Sequence, residues 1–172
     1  MSVVAARIYR DGRLLTDVDL TKPIPTLEKK EDFIWIGLHE PDAATIKTIQ
    51  ENFGLHELAV EDALDSRHLP KMESYGETLF VVARTVHLEG SDDNARIAYG
   101  NTAIFLGRQF IITVRHGSMR GHAPIRQQLE ATPWLLKHGP DYVLHAILDF
   151  IVDGYFDVID ILEEQVLAME DQ

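Results

Sequence analysis

Residues 140–172 read PDYVLHAILDFIVDGYFDVIDILEEQVLAMEDQ, and this stretch predicts one long helix. Pro140 suits a first helical turn, where its missing N–H costs nothing, and only Gly154 weakens the pattern before the end of the chain. Apolar residues recur at alternating spacings of four and three, the period of a coiled-coil seam. They are Leu144, Leu148, Ile151, Tyr155, Val158 and Leu162. Additional apolar residues before Asp153 predict that this first half is buried, whereas the second half is expected to leave the globular body.

The excess negative charge of the chain is concentrated on the same helix. The formal net charge is −12, and residues 138–172 hold nine carboxylates and no Lys or Arg. No basic face is visible, so we expect no nucleic-acid partner. Five acids recur at helical spacing and share one face: Asp149, Asp153, Asp157, Asp160 and Glu164.

Two interpretations of this acidic stripe stay open. Like charges one turn apart destabilise a helix, and a hard cation such as Mg²⁺ would offset the repulsion because it prefers oxygen ligands. The other interpretation is a solvated acidic face that pairs with arginines elsewhere in the chain. Asp149 lies between Leu148 and Phe150, in the half expected to be buried, and a carboxylate there needs a partner.

The first 138 residues predict short strands and helices. Strands are expected at residues 5–9 and 13–15, joined by an Asp-Gly turn, and at 33–37, 78–87, 97–106 and 109–115. Gly107-Arg108 predicts a tight hairpin, and residues 90–94 predict a polar connector. Helices are expected from Asp42 as N-cap to Gly54, at residues 57–64 and at 124–131, with another short one beginning at Pro133.

No catalytic motif stands out in these elements. His56-Glu57 lacks the second histidine of a zinc-protease motif, because Val60 stands at that position, and the chain has no cysteine to form thiolate sites. Glu61-Asp62 is a further acidic pair, which an ordinary helix surface also explains. No apolar run reaches the ~20 residues of a membrane-spanning helix. We therefore expect the chain alone to be soluble and not an enzyme.

Several segments, read in order, resemble the cytoplasmic domain of the CorA family of Mg²⁺/Co²⁺ transporters. They are WIGL at 35–38 followed by Pro41, FGLHELAVED at 53–62, LPKMESY at 69–75, LFVV at 79–82, AIFLGRQFIITV at 103–114 and DYVLHAILDFIVDGYF at 141–156. The resemblance covers roughly residues 33–170. It implies an α/β (α+β) fold in which helices sandwich a mixed β-sheet, with a cytoplasmic domain at 1–138 and the start of a long stalk helix at 139–172.

The resemblance also implies function. Family members are homopentamers that associate through their stalk helices, and regulatory Mg²⁺ binds between neighbouring domains and holds the closed state. The matching ligand positions make Asp62 the first candidate, with Glu61 and Asp149 as a second locus and Asp153 beside them on the stripe. Because the distal stalk acid of the family lies beyond Gln172, we expect a half-site that binds Mg²⁺ weakly, with Co²⁺ or Zn²⁺ as other cations.

The expected location is the cytoplasmic face of the inner membrane, reached only through a segment that follows Gln172. Three alternatives accompany this interpretation: a ZntB-like Zn²⁺ transporter domain, a metal-dependent enzyme built on the acidic stripe, and a plain oligomerisation module built on the seam.

Overall fold

The structure, a computed structural model, describes residues 3–90, 96–117 and 120–170, without the side chains of residues 168 and 170. Seven strands form one sheet in the order β2-β1-β3-β7-β6-β5-β4. The strands are β1 (Val3–Arg10), β2 (Arg13–Asp17), β3 (Phe33–His39), β4 (Lys71–Tyr75), β5 (Thr78–Glu89), β6 (Arg96–Gly107) and β7 (Phe110–His116). All neighbours are antiparallel except β3 and β7, so the sheet is mixed, as predicted.

In the described part of the chain, five helices cover the two faces of this sheet. They are α1 (Ala43–Phe53), α2 (Glu57–Leu64), α3 (Ala123–Glu130), α4 (Pro133–Leu136) and α5 (Pro140–Glu170). α1 and α2 contribute to the buried cluster on one face, and α3, α4 and α5 contribute to the cluster on the other. The predicted sandwich of a mixed sheet between helices is therefore confirmed.

Local signals explain most of the element boundaries. The β1–β2 turn consists of Asp11 and Gly12, both at positive φ, which is the backbone that a two-residue hairpin loop requires. The Asp42 carboxylate accepts a hydrogen bond from the Thr45 amide at 2.7 Å and caps α1, and Gly54 ends it in the left-handed conformation. These three features agree with the sequence prediction.

One strand was not predicted. β4 is an edge strand of mixed composition, KMESY, with no period-two apolar pattern, and its central residues are exposed. It pairs with β5 through a turn that contains Gly76 at positive φ. The predicted connector at 90–94 falls mostly outside the described residues.

Packing against the sheet determines the orientation of α5. Its buried aliphatic side chains are Val143, Ile147, Ile151 and Val158, which lie on one face of the helix. The Tyr155 hydroxyl, near the middle of α5, donates a hydrogen bond to the Arg84 carbonyl oxygen and so connects the helix to β5. Beyond Val158 the apolar side chains of α5 are exposed: Ile159, Ile161, Leu162, Val166, Leu167 and Met169.

Candidate metal site

Two of the four predicted ligands, Glu61 and Asp62, lie on α2 and are called the α2 locus. Ala59, Val60 and Ala63 are buried against the sheet, which turns the Glu61 side chain to the solvent and leaves Asp62 half-buried at the edge of the contact. Within the described residues Glu61 has no ion pair or hydrogen bond through its side chain. Asp62 is different, because two basic groups reach its carboxylate.

The Asp62 carboxylate is bound at both oxygens. Its Oδ1 lies 2.9 Å from His68 Nε2 and its Oδ2 lies 2.6 Å from Lys71 Nζ. Burial alone would raise the pKa of Asp62, but the hydrogen bond from Lys71 and the charges of His68 and Lys71 outweigh it and lower the pKa. Asp62 is therefore ionised at neutral pH, and a cation that binds it competes with Lys71.

Lys71 belongs to a wider polar cluster on β4. Its Nζ also lies 2.9 Å from Glu73 Oε2, and the Tyr75 hydroxyl donates to the same oxygen at 2.6 Å. The two carboxylates keep the pKa of Lys71 high, at about 12. Sequence reasoning missed this cluster because β4 itself was not predicted, although Lys71 stands in the LPKMESY segment that carries the resemblance.

The other two predicted ligands, Asp149 and Asp153, lie on α5 on the side away from the sheet and are called the α5 locus, so one chain does not bring Glu61 and Asp149 together as the predicted second locus. Asp149 and Asp153 are exposed, and so are Asp160 and Glu164 further along the stripe. The first half of α5 packs on the sheet as expected, but the expectation that Asp149 shares this burial is wrong. Asp149 stands two residues from both Ile147 and Ile151, and two residues on a helix correspond to about 200°, so its side chain points away from the buried face.

One member of the stripe has a basic partner. The Arg120 guanidinium lies 3.6 Å from Asp157 Oδ2 and stacks over the Phe150 ring, 4.3 Å from its centroid. Gly154 leaves room for it, since a Cβ at Gly154 would lie 2.9 Å from Arg120 Nη1. Arg120 therefore balances the charge of Asp157, as the interpretation of a solvated acidic face predicts. Asp149 and Asp153 form no ion pair within the described part of the chain.

A single chain does not bring the two loci together. α2 packs on one face of the sheet and α5 on the other, so Glu61 and Asp62 are separated from Asp149 and Asp153 by the sheet itself. Among the described residues, no group of three or more His, Asp or Glu side chains has a geometry that could hold a metal ion. The oxygen donors suit a hard cation such as Mg²⁺, but each locus supplies only part of a coordination shell.

None of the helices in the described ranges combines the length and the apolar composition that crossing a bilayer requires.

Comparison with known proteins gives the family. Residues 30–172 match the family described as CorA-like Mg²⁺ transporter protein. The putative metal ion transporter YfjQ of Bacillus subtilis strain 168 is 27% identical over 162 residues, which cover 92% of this chain and 49% of the relative. The cobalt/magnesium transport protein CorA of Thermotoga maritima is 28% identical over 145 residues, covering 77% and 40%. The chain thus spans less than half the length of these two relatives.

Solved structures share the fold. The soluble domain of CorA from Methanocaldococcus jannaschii superposes with a TM-score of 0.73 at 18% identity, over 99% of this chain and 65% of that one. The ZntB cytoplasmic domain from Vibrio parahaemolyticus gives 0.68 at 15% identity, over 95% and 63%. The fold does not separate these two kinds of protein, but the family match covers most of the chain. The chain belongs to the CorA family of CorA-like Mg²⁺ transporter proteins.

Proposed function

We propose that this chain is the cytoplasmic, metal-sensing domain of a CorA-like divalent-cation transporter for Mg²⁺, with Co²⁺ and Ni²⁺ as further substrates to test. The observation that carries the proposal is the family match over residues 30–172. That family is named for transport, which argues against the metal-dependent enzyme.

The proposed mechanism is a shift between two arrangements of subunits. The exposed carboxylates of α5, Asp149 and Asp153, repel the acids of a neighbouring subunit, and Mg²⁺ between them removes the repulsion. A cation that binds the closed arrangement more tightly than the splayed one increases the closed population. Glu61 is exposed, so its carboxylate can bind the cation from across the subunit interface. The Asp62 carboxylate releases Lys71 when it binds the cation.

The proposed assembly is a homopentamer that forms through the stalk helices. The second half of α5 exposes large apolar side chains, such as Ile159 at 45% and Val166 at 55%, which a solvated helix has no reason to carry. Neighbouring copies of the same helix would cover them. In this arrangement the domain lies at the cytoplasmic face of the cell membrane, and only other parts of the full-length protein enter the bilayer.

Sedimentation velocity of the 172-residue chain tests the role of the cation. With ionic strength held constant by NaCl, we expect MgCl₂ in the tens of millimolar to increase the weight-average sedimentation coefficient. Asp149→Asn with Asp153→Asn should lose this response, and Glu51→Gln, an exposed acid of α1, should keep it. Self-association that ignores Mg²⁺ would favour the plain oligomerisation module, and turnover of phosphoesters by the purified chain would favour the enzyme.

A Zn²⁺ transporter domain is the second candidate, because the ZntB cytoplasmic domain shares this fold at a TM-score of 0.68. The same experiment separates the two candidates. A response to micromolar Zn²⁺ that millimolar Mg²⁺ cannot produce would favour the Zn²⁺ transporter, and a response to Mg²⁺ that Zn²⁺ adds nothing to would favour the Mg²⁺ transporter.

A further inference from the structure

A cavity of about 170 Å³ lies on the α3 side of the sheet, and none of the four candidate metal ligands lines it. Its walls come from β1, β3 and β7 and from the first turn of α3. The polar side chains of the lining include Arg7, Trp35, Thr113, Arg115, His122 and Arg126. Apart from Arg7, each of these residues is at least nine-tenths buried, so most of the polar wall is part of the interior.

The charge of this wall is one-sided. Three of its side chains are guanidinium groups, and none of the described residues that line the cavity is an Asp or Glu. Arg7 is already bound outside the cavity, by Glu130 at 2.8 Å and by Asp17 at 2.9 Å. Glu130 also accepts from the Tyr9 hydroxyl at 2.6 Å, so its oxygens are engaged on that side.

Arg126 has weak local compensation among the described residues. Arg126 is 7% exposed, and its guanidinium stacks over the Trp35 ring, 4.1 Å from the ring centroid. Its hydrogen bonds are long and go to neutral acceptors, the Tyr9 hydroxyl at 3.5 Å and the Trp35 carbonyl at 3.4 Å. Burial is the main reason that its pKa is lowered, and Glu130 opposes the shift only through its charge at longer range. A buried guanidinium is costly unless an anion or several good acceptors accompany it.

Two further polar atoms of the lining residues have no hydrogen-bond partner within the described part of the chain. Trp35 Nε1 is buried without a hydrogen bond, and so is His122 Nδ1 at the N-terminus of α3. Burial lowers the pKa of His122 to about 3, with the positive charges of Arg115 and Arg126 adding to the effect, so the ring is neutral and its free nitrogen can carry the proton as a donor. Buried polar atoms in folded proteins are nearly always paired.

We infer that this cavity is a binding site for a compact oxyanion, held by the Arg126 fork with donors from Trp35 and His122. A guanidinium binds phosphate or carboxylate oxygens through two parallel hydrogen bonds, and the start of a helix adds backbone N–H groups with the same preference. The volume of the cavity suits a phosphate, a sulfate or a short dicarboxylate. A nucleotide would place only its terminal phosphate there.

The two tryptophans provide a test with an internal control. Trp35 lines the cavity, whereas Trp134 is 61% exposed on α4, and the Trp134→Phe variant assigns their indole N–H signals in a ¹H–¹⁵N spectrum. Sodium phosphate, sulfate, malonate and ATP are titrated separately into the ¹⁵N-labelled chain with EDTA present, and chloride keeps the ionic strength constant. We expect the Trp35 indole signal to shift saturably with at least one oxyanion and the Trp134 signal to stay in place.

Three variants connect the shift to the cavity. Gly37→Ala narrows it, since the added Cβ would meet Arg126 Nη2 at 3.5 Å and Thr113 Oγ1 at 3.7 Å, both ordinary contacts that leave the fold intact. We expect a Kd several-fold weaker for Gly37→Ala and about tenfold weaker for Arg126→Lys, which keeps the charge but loses the fork. Arg108→Gln, an exposed arginine paired with Glu77, should bind as the unmodified chain does.

Each result decides for or against the site. A preference for phosphate or malonate identifies a free small anion, and a preference for ATP identifies a nucleotide phosphate, and both support the site. A shift that is linear, that chloride reproduces or that both tryptophans share would overturn it, as would unchanged binding in Gly37→Ala. Because no divalent cation is present, failure here leaves the metal-sensing proposal untouched.

Discussion

Replacing Lys71 by glutamine should strengthen cation binding at Asp62. The Nζ–Oδ2 distance of 2.6 Å corresponds to about 1.6 kcal/mol of attraction in bulk water. The two side chains are 24% and 21% exposed, so solvent screens the pair only partly, and the cost of removing the two charges from water reduces the gain. A net contribution of about 1 kcal/mol, at the upper end for surface pairs, follows.

That contribution must be given up when a cation displaces Lys71 from Asp62. Lys71→Gln removes it, and about 1 kcal/mol corresponds to roughly a fivefold lower Kd for Mg²⁺. The measurement is an MgCl₂ titration at pH 7 and constant ionic strength, followed through the backbone amide signals of residues 61–63. Lys47→Gln, an exposed lysine of α1, is the matched control and should not change the affinity.

The double variant that adds Asp62→Asn to Lys71→Gln should lose the gain. An unchanged or weaker Mg²⁺ affinity in Lys71→Gln, with the fold intact, would refute the competition between Lys71 and the cation. A gain that survives Asp62→Asn would show that Glu61 or Glu73, and not Asp62, is the carboxylate involved.

Three further predictions concern the body of the domain. Ile147→Ala should reduce the free energy of unfolding by about 2–4 kcal/mol in urea titrations, because the side chain is fully buried between α5 and the sheet, whereas exposed Val152→Ala should change it by less than about 0.5 kcal/mol. In the same urea titrations, Gly12→Ala should reduce the free energy of unfolding far more than Gly76→Ala does. Both glycines have positive φ, but only at Gly12 would the new Cβ lie 2.0 Å from a backbone carbonyl oxygen of α4. Asp32→Asn should destabilise the chain at neutral pH, and the deficit should shrink on acidification. Hydrogen bonds from Arg10 of β1 lower the pKa of Asp32 in the folded chain. The stabilisation from this pair is therefore present above the unfolded-state pKa of about 3.9 and is lost as the pH falls through the folded-state pKa. Urea midpoints of the variant and the unmodified chain at pH 7, 4 and 3 measure the difference.

Much of the fold follows from short-range signals in the sequence. The Asp-Gly turn, the Asp42 cap, Gly54 and Pro140 each impose a backbone conformation that few other residues favour, and the elements they bound appear as predicted. β4 was missed because it lies at the edge of the sheet, where it pairs with one neighbour only and its central side chains are exposed. Such a strand needs no alternation of apolar and polar residues. The parallel pairing of β3 with β7 joins segments about 75 residues apart, and periodicity carries no information about such pairing.

The sequence indicates which carboxylates are candidate ligands, but it does not indicate which side chains surround them. Helical spacing correctly placed Asp149 and Asp153 on one face, yet only packing reveals which face meets the sheet, and Asp149 proved to be exposed. The basic partners of Asp62 come from a loop and from the unpredicted β4, so no local pattern announces them. Asp62, Glu61, Asp149 and Asp153 remain predicted ligands, on opposite faces of the sheet.

The most direct test of the central proposal is cation flux through the full-length protein that carries this domain, reconstituted in liposomes. With a Mg²⁺-sensitive dye reporting transport, we expect millimolar Mg²⁺ on the side of the domain to lower the initial rate. Asp149→Asn with Asp153→Asn should abolish most of that inhibition, and Glu51→Gln should retain it. Equal inhibition of both variants would contradict the assignment of α5 as the sensing helix, and the absence of any Mg²⁺-dependent inhibition would contradict the sensing role itself.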